Sequence, residues 1–100
     1  MEFEEHVRRA LDSLPPDLAR RLENVAVVVE DENAADPDLF GLYEGGDAYL
    51  PHKVTIYRRP LEEDFTQPDE LEREIRVTVL HELAHYFGLD EDRIAELGYG

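Results

Sequence analysis

Val77-Thr78-Val79-Leu80-His81-Glu82-Leu83-Ala84-His85-Tyr86-Phe87-Gly88-Leu89-Asp90-Glu91-Asp92 carries more information than any other segment of this 100-residue chain. An α-helix repeats every 3.6 residues, so side chains four apart lie one turn apart on nearly the same face. On a helix His81 and His85 can therefore offer two imidazole nitrogens to one point. Glu82 is turned by about 100° from His81, beside that point rather than on it. Two imidazoles suit a divalent metal ion, and a carboxylate next to an open coordination position can take a proton from water. The alternative is a chance HExxH on an ordinary amphipathic helix. The flanking residues weigh against it.

Gln67-Pro68-Asp69-Glu70 is a helix start, with Pro in the first turn and two acids at the positive end of the helix dipole. Gly88 is a stop, because glycine leaves a helix with positive φ at little cost. The spacing predicts one helix from about Pro68 to Phe87. Its first half is charged. In its second half Ile75, Val77, Val79, Leu80, Leu83, Ala84 and Phe87 cover most of the circumference, which predicts burial. Two histidines and a carboxylate on a buried half-helix need partners, since unpaired polar groups are costly to bury. A metal ion would be such a partner.

A third ligand is required. Glu91 lies six residues after His85, the offset of the third ligand in HExxHxxGxxH, and zinc accepts carboxylate oxygen. Asp90 and Asp92 also read as caps of a short final helix over about 92–97, and Glu96 on that helix is a rival ligand.

The run HELAHYFGLDEDRIAELGYG, from His81 to Gly100, resembles the C-terminal signature of small bacterial zincin-like metallopeptidases, sometimes called minimal zincins. Val54 to Leu61, a strand leading into an Arg-Pro corner, and Phe40 to Gly45 resemble the same family. The resemblance spans most of the chain. It implies an α+β, zincin-like fold over residues 1–100, a small mixed sheet packed on the HExxH helix, and helices at both ends. It implies one Zn²⁺ per chain, held by His81, His85 and the acid after the glycine, with Glu82 activating the zinc-bound water to hydrolyse peptide bonds. Where the family pattern favours Asp as third ligand, this chain has Glu91. Larger zincins carry a methionine beneath the metal; this chain has only Met1. A non-catalytic metal-binding or peptide-binding module on the same fold is the alternative function. The family also implies an edge strand that pairs with an extended substrate, for which Phe40 to Tyr49 is the candidate. Tyr57, Tyr86 and Tyr99 are candidate stabilisers of the developing oxyanion, and His52 is a candidate substrate-side residue.

Composition restricts the partners. A net charge of −15 would repel a phosphate backbone, so peptides or unfolded proteins are expected rather than nucleic acid. The sequence has no run of about 20 apolar residues, so no membrane span is expected. The N-terminus lacks an apolar signal region, and cysteine is absent, which together suit a cytoplasmic location.

The remaining elements follow from periodicity. Phe3, Val7, Ala10, Leu11 and Leu14 predict an amphipathic helix over about 2–13, with His6 on its polar, solvent-facing side. Pro15-Pro16 separates it from a short helix to about Glu23. Val25 to Glu30, apolar on both faces, predicts an inner strand. Asp31 to Asp38 reads as an acidic loop, Leu39 to Glu44 as an irregular strand, Gly45-Gly46-Asp47 as a turn, and Ala48 to Leu50 as a further edge segment. Lys53 to Arg58 alternates as a strand with Val54 and Ile56 on the core face. Pro60 closes it, and Leu61 to Thr66 reads as a loop or a turn of helix.

Overall fold

The long helix α4, Pro68–Phe87, runs across one face of a three-stranded sheet and supplies the centre of the core. The computed structural model describes residues 2–46, 50–87 and 91–96, and of residues 86, 87, 91 and 93 the backbone alone. Leu71, Ile75, Val79 and Leu83 recur every four residues along α4, and all four are buried together with Leu80 and Ala84. Val77 departs from expectation. It is only half-buried and lines a cleft instead of packing in the core.

The sheet is formed by β1 (Val25–Glu30), β2 (Gly41–Glu44) and β3 (His52–Tyr57) in the order β1-β3-β2. β1 pairs parallel with β3, with Val27 opposite Val54, and β2 pairs antiparallel with β3, with Tyr43 opposite Val54. The central strand is therefore β3, not β1. Its residues Val54 to Tyr57 are all buried, whereas β1 stays half-exposed along most of its length. Thr55 was expected to face away from the core, and it does. It is nevertheless fully buried, because Val28 and Leu42 flank it from the two neighbouring strands. The apolar composition of β1 reflects one face packed on the core, with Val25, Val27 and Val29 against it.

The chain turns directly from β3 into helix α3, Arg58–Asp64, which starts within the expected strand end and takes up most of the segment read as a loop or a turn of helix. Pro60 occupies the first turn of α3. The first turn's N–H groups have no helical acceptor, so proline is tolerated there. Arg58 reaches back to Asp31 (3.0 Å) and forward to Glu62 (2.6 Å), while Arg59 holds Glu32 (2.7 Å). These ion pairs anchor the start of the 31–38 loop. Asn33 shapes the rest: its Oδ1 accepts the amides of Ala35 and Asp36 at 2.9 Å, and its Nδ2 donates to the Tyr57 hydroxyl at 2.9 Å.

Helix α1, Phe3–Asp12, packs on α4 through Phe3, Val7 and Ala10. His6 corrects the sequence expectation, being buried at 7% exposure rather than facing solvent. Its Nδ1 lies 2.6 Å from Glu72 Oε2 on α4, so the apparent polar edge of α1 is a helix–helix contact. A short helix α2, Pro16–Ala19, and a 3₁₀ turn, Arg20–Leu22, lead into β1. Helix α5, Glu91–Glu96, buries Ile94. Gly45 and Gly46 both take positive φ, and the Gly46 amide bonds the Leu50 carbonyl (3.0 Å), confirming a turn at this point. Residues 47–49, within the expected turn and edge segment, lie outside the described residues.

Candidate active site

β2 lies against the second half of α4, and the two run in the same direction. Gly41 sits level with Thr78: a Cβ added there would fall 2.5 Å from Thr78 Cγ2 and 3.2 Å from the Thr55 carbonyl oxygen. Glycine at this position thus allows the close approach of α4. Two residues further on, the Tyr43 amide hydrogen-bonds the Glu82 carboxylate.

The ladder explains why that amide is available. The Tyr57 N–H donates to the Phe40 carbonyl (2.9 Å), which sets the alternation of the antiparallel pair. Leu42 and Glu44 then turn their main-chain groups to β3, and Gly41 and Tyr43 turn theirs to the free side of β2.

Glu82 is half-buried, and burial pushes its carboxyl pKa above the usual 4.5. His85, His81 and the Tyr43 amide pull the other way, favouring the charged carboxylate. One carboxylate therefore feels both imidazoles and a main-chain donor. His81 and His85 are themselves exposed, against the expectation of a buried half-helix. Leu80, Leu83 and Ala84 face the core, and the imidazoles face solvent.

Beside Glu82 opens a cleft of about 470 Å³, lined by Asp36, Asp38, Leu39, Phe40, Gly41, Glu74, Val77, Thr78, His81 and Glu82. His52 is not among these residues. It is half-buried and hydrogen-bonded through Nδ1 with the Tyr43 hydroxyl, next to the Gly46 turn. Tyr57 is also absent from the cleft; it is buried, and its hydroxyl is engaged by Asn33. The side chains of Glu91 and Tyr86 and all of Asp90 and Tyr99 lie outside the described residues. Asp92 and Glu96 are exposed on α5. Among the described residues no three His, Asp or Glu side chains converge on one metal position. The donors that are described suit zinc chemically: two imidazoles one helical turn apart, accessible from solvent, beside a half-buried carboxylate whose pKa burial raises.

Residues 22–100 match the family model of the zincin-like metallopeptidases. The chain belongs to that family. No curated protein matches it. Membership makes a zinc-dependent peptidase the general expectation, and the match covers the sheet, α4 and the HExxH segment. In this zincin-like chain α1 and all of α2 precede the matched residues, yet Phe3, Val7, Ala10 and Leu18 belong to the same core. Sequence reasoning found His81, Glu82 and His85 from their spacing. It missed the Tyr43 amide, because a main-chain donor leaves no mark in a residue pattern. It read Asp36 and Asp38 only as loop, and only the fold brings them beside Glu82.

Proposed function

We propose that this zincin-like protein hydrolyses peptide bonds, with His81, His85 and Glu91 holding one Zn²⁺ and Glu82 as the general base. The observation that carries this reading is the setting of Glu82, half-buried between two accessible imidazoles and a strand-edge amide. Bound zinc would supply a Lewis acid and lower the pKa of its water to about 7. Glu82 would accept the proton from the attacking water and later deliver it to the leaving amine. Burial suits it to this exchange, since a base works best with a pKa drawn towards the operating pH. The Tyr43 N–H would keep the carboxylate oriented, and the other free main-chain groups of β2, the Tyr43 carbonyl and those of Gly41, would hold an extended peptide.

The charge of −15 and the open cleft favour peptides or unfolded segments over nucleic acid. No described helix is long and apolar enough to cross a membrane. The absence of cysteine suits a reducing compartment such as the cytoplasm.

The test combines metal content with cleavage. Wild type should carry about one zinc per chain and His81→Ala none. Glu82→Gln should retain the metal and lose turnover of an unfolded protein substrate. Zinc binding without any turnover in wild type would leave a metal-dependent binding module. No zinc in wild type after incubation with zinc would overturn the proposal.

A further inference from the structure

We propose that the cleft beside Glu82 selects a lysine or arginine side chain on the C-terminal side of the scissile bond, with Asp36 and Asp38 as its specificity-determining residues. The inference rests on the peptide-hydrolase reading above, and three features of the structure carry it.

The first is direction. A peptide added to the free side of β2 pairs best antiparallel, the more stable ladder. Along β2 and α4, Tyr43 is level with Glu82 and Gly41 with Thr78. Moving from Glu82 towards Gly41 and Phe40 therefore follows an antiparallel peptide towards its C-terminus. The cleft lies on that side, since Phe40, Gly41, Val77 and Thr78 line it. It receives a residue that follows the cleaved bond.

The second is the lining. Leu39, Phe40 and Val77 are half-exposed and apolar, while Asp36, Asp38 and Glu74 bring carboxylates to the same space. Among the described residues no Lys or Arg lines it. A long aliphatic stem ending in a cation matches an apolar wall with a carboxylate rim. At about 470 Å³ the cleft has room for such a side chain.

The third is which carboxylates remain uncompensated. The 31–38 loop has four acids, and two are neutralised elsewhere: Asp31 by Arg58 and Glu32 by Arg59. Glu74 is held by Arg73 at 3.0 Å. Asp36 and Asp38 have no ion pair among the described residues, and both line the cleft. Their backbone is fixed, because Asn33 Oδ1 accepts the Asp36 amide and Asp36 Oδ1 accepts the Asp38 amide (3.2 Å). An acidic side chain in this cleft would be repelled. A neutral one would gain no charge pair with Asp36 and Asp38, both of which are exposed.

The experiment uses one peptide series that differs only in the residue after the scissile bond: Arg, Lys, norleucine or Glu. Cleavage by the zinc-loaded protein is followed by mass spectrometry. Binding of the same peptides, fluorescently labelled, is read by anisotropy on zinc-loaded Glu82→Gln, which does not depend on turnover. Arg and Lys should exceed norleucine by about three- to tenfold in kcat/KM and in affinity, as two partly exposed charge pairs allow, with Glu weakest. Asp36→Asn/Asp38→Asn keeps the Asn33 and Asp36 acceptor bonds and should bring the Arg-to-norleucine ratio close to one. Equal handling of all four peptides, a ratio unmoved by the double variant, or cleavage on the C-terminal side of the basic residue would overturn the inference and leave the hydrolase reading standing. Binding with the basic preference but no cleavage by wild type would overturn the hydrolase reading and support the cleft assignment. Neither binding nor cleavage would overturn both.

Discussion

Replacing Gly41 by alanine tests the closest contact in the candidate site. Gly41 does not take positive φ, so alanine meets no backbone penalty and only its methyl group matters. That methyl would sit 2.5 Å from Thr78 Cγ2, more than 1 Å inside the ~3.5–4.0 Å optimum for two carbons. The other near neighbour is the Thr55 carbonyl at 3.2 Å, part of the central strand and unable to retreat. Thr78 is buried, and its Oγ1 is tied to the Glu74 carbonyl (2.8 Å), so it cannot rotate away without losing a bond. β2 must therefore lift from α4. Overpacking of this kind costs about 1–3 kcal/mol, and 2 kcal/mol in a domain of this size lowers Tm by about 8–16 °C. Thr78→Ser deletes the clashing methyl and keeps the hydroxyl; alone it costs about 1 kcal/mol as a small core truncation. In Gly41→Ala/Thr78→Ser the methyl lost at 78 makes room for the one gained at 41. The double variant should be less destabilised than the sum by about 1–2 kcal/mol, a coupling that urea titration of all four proteins resolves. A Gly41→Ala cost below 0.5 kcal/mol, or strict additivity, would refute the steric account.

Metal-free Glu82→Gln should unfold at the same or a higher temperature than metal-free wild type at neutral pH, because it removes a carboxylate whose charged form is disfavoured by burial. The sign follows from the raised pKa: the wild-type deficit is full above the folded pKa of Glu82, shrinks as pH falls through it, and vanishes below about 4.5, which paired melts across pH would show. His6→Ala should cost about 1–3 kcal/mol by chemical denaturation, since it leaves Glu72, its 2.6 Å partner on α4, without its buried donor. Asn33→Ala removes three hydrogen bonds at once and should cost a similar ~1–3 kcal/mol; amide exchange should accelerate at Ala35 and Asp36, while β3 stays protected. Gly45→Ala should be among the most damaging single changes, because φ there is +91° and the added Cβ would meet the Pro51 carbonyl; a Tm within 2 °C of wild type would contradict it.

Much of this protein was legible in the order of its residues. Local patterns determined α4 to its ends, because Pro68 and Gly88 punctuate it and the apolar second half from Ile75 onward needs no partner to be recognised. The same periodicity placed His81, Glu82 and His85 together, since one helical turn is enough to do so. Tertiary structure decided what depended on neighbours distant in the chain. β1 is the more apolar strand by composition, yet β3 is the central one, because only pairing partners separate an edge from a centre. His6 has a polar helical position, and only the arrival of Glu72 makes that position interior. Tyr43 reached the site through its amide, which every residue but proline has, so no side-chain pattern could mark it. Asp36 and Asp38 looked like any acidic loop until Arg58, Arg59 and Asn33 folded that loop against α4. Short-range spacing is fixed by covalent geometry and can be read directly. Long-range contacts are fixed by packing and ion pairing, which exist only once the chain has closed on itself.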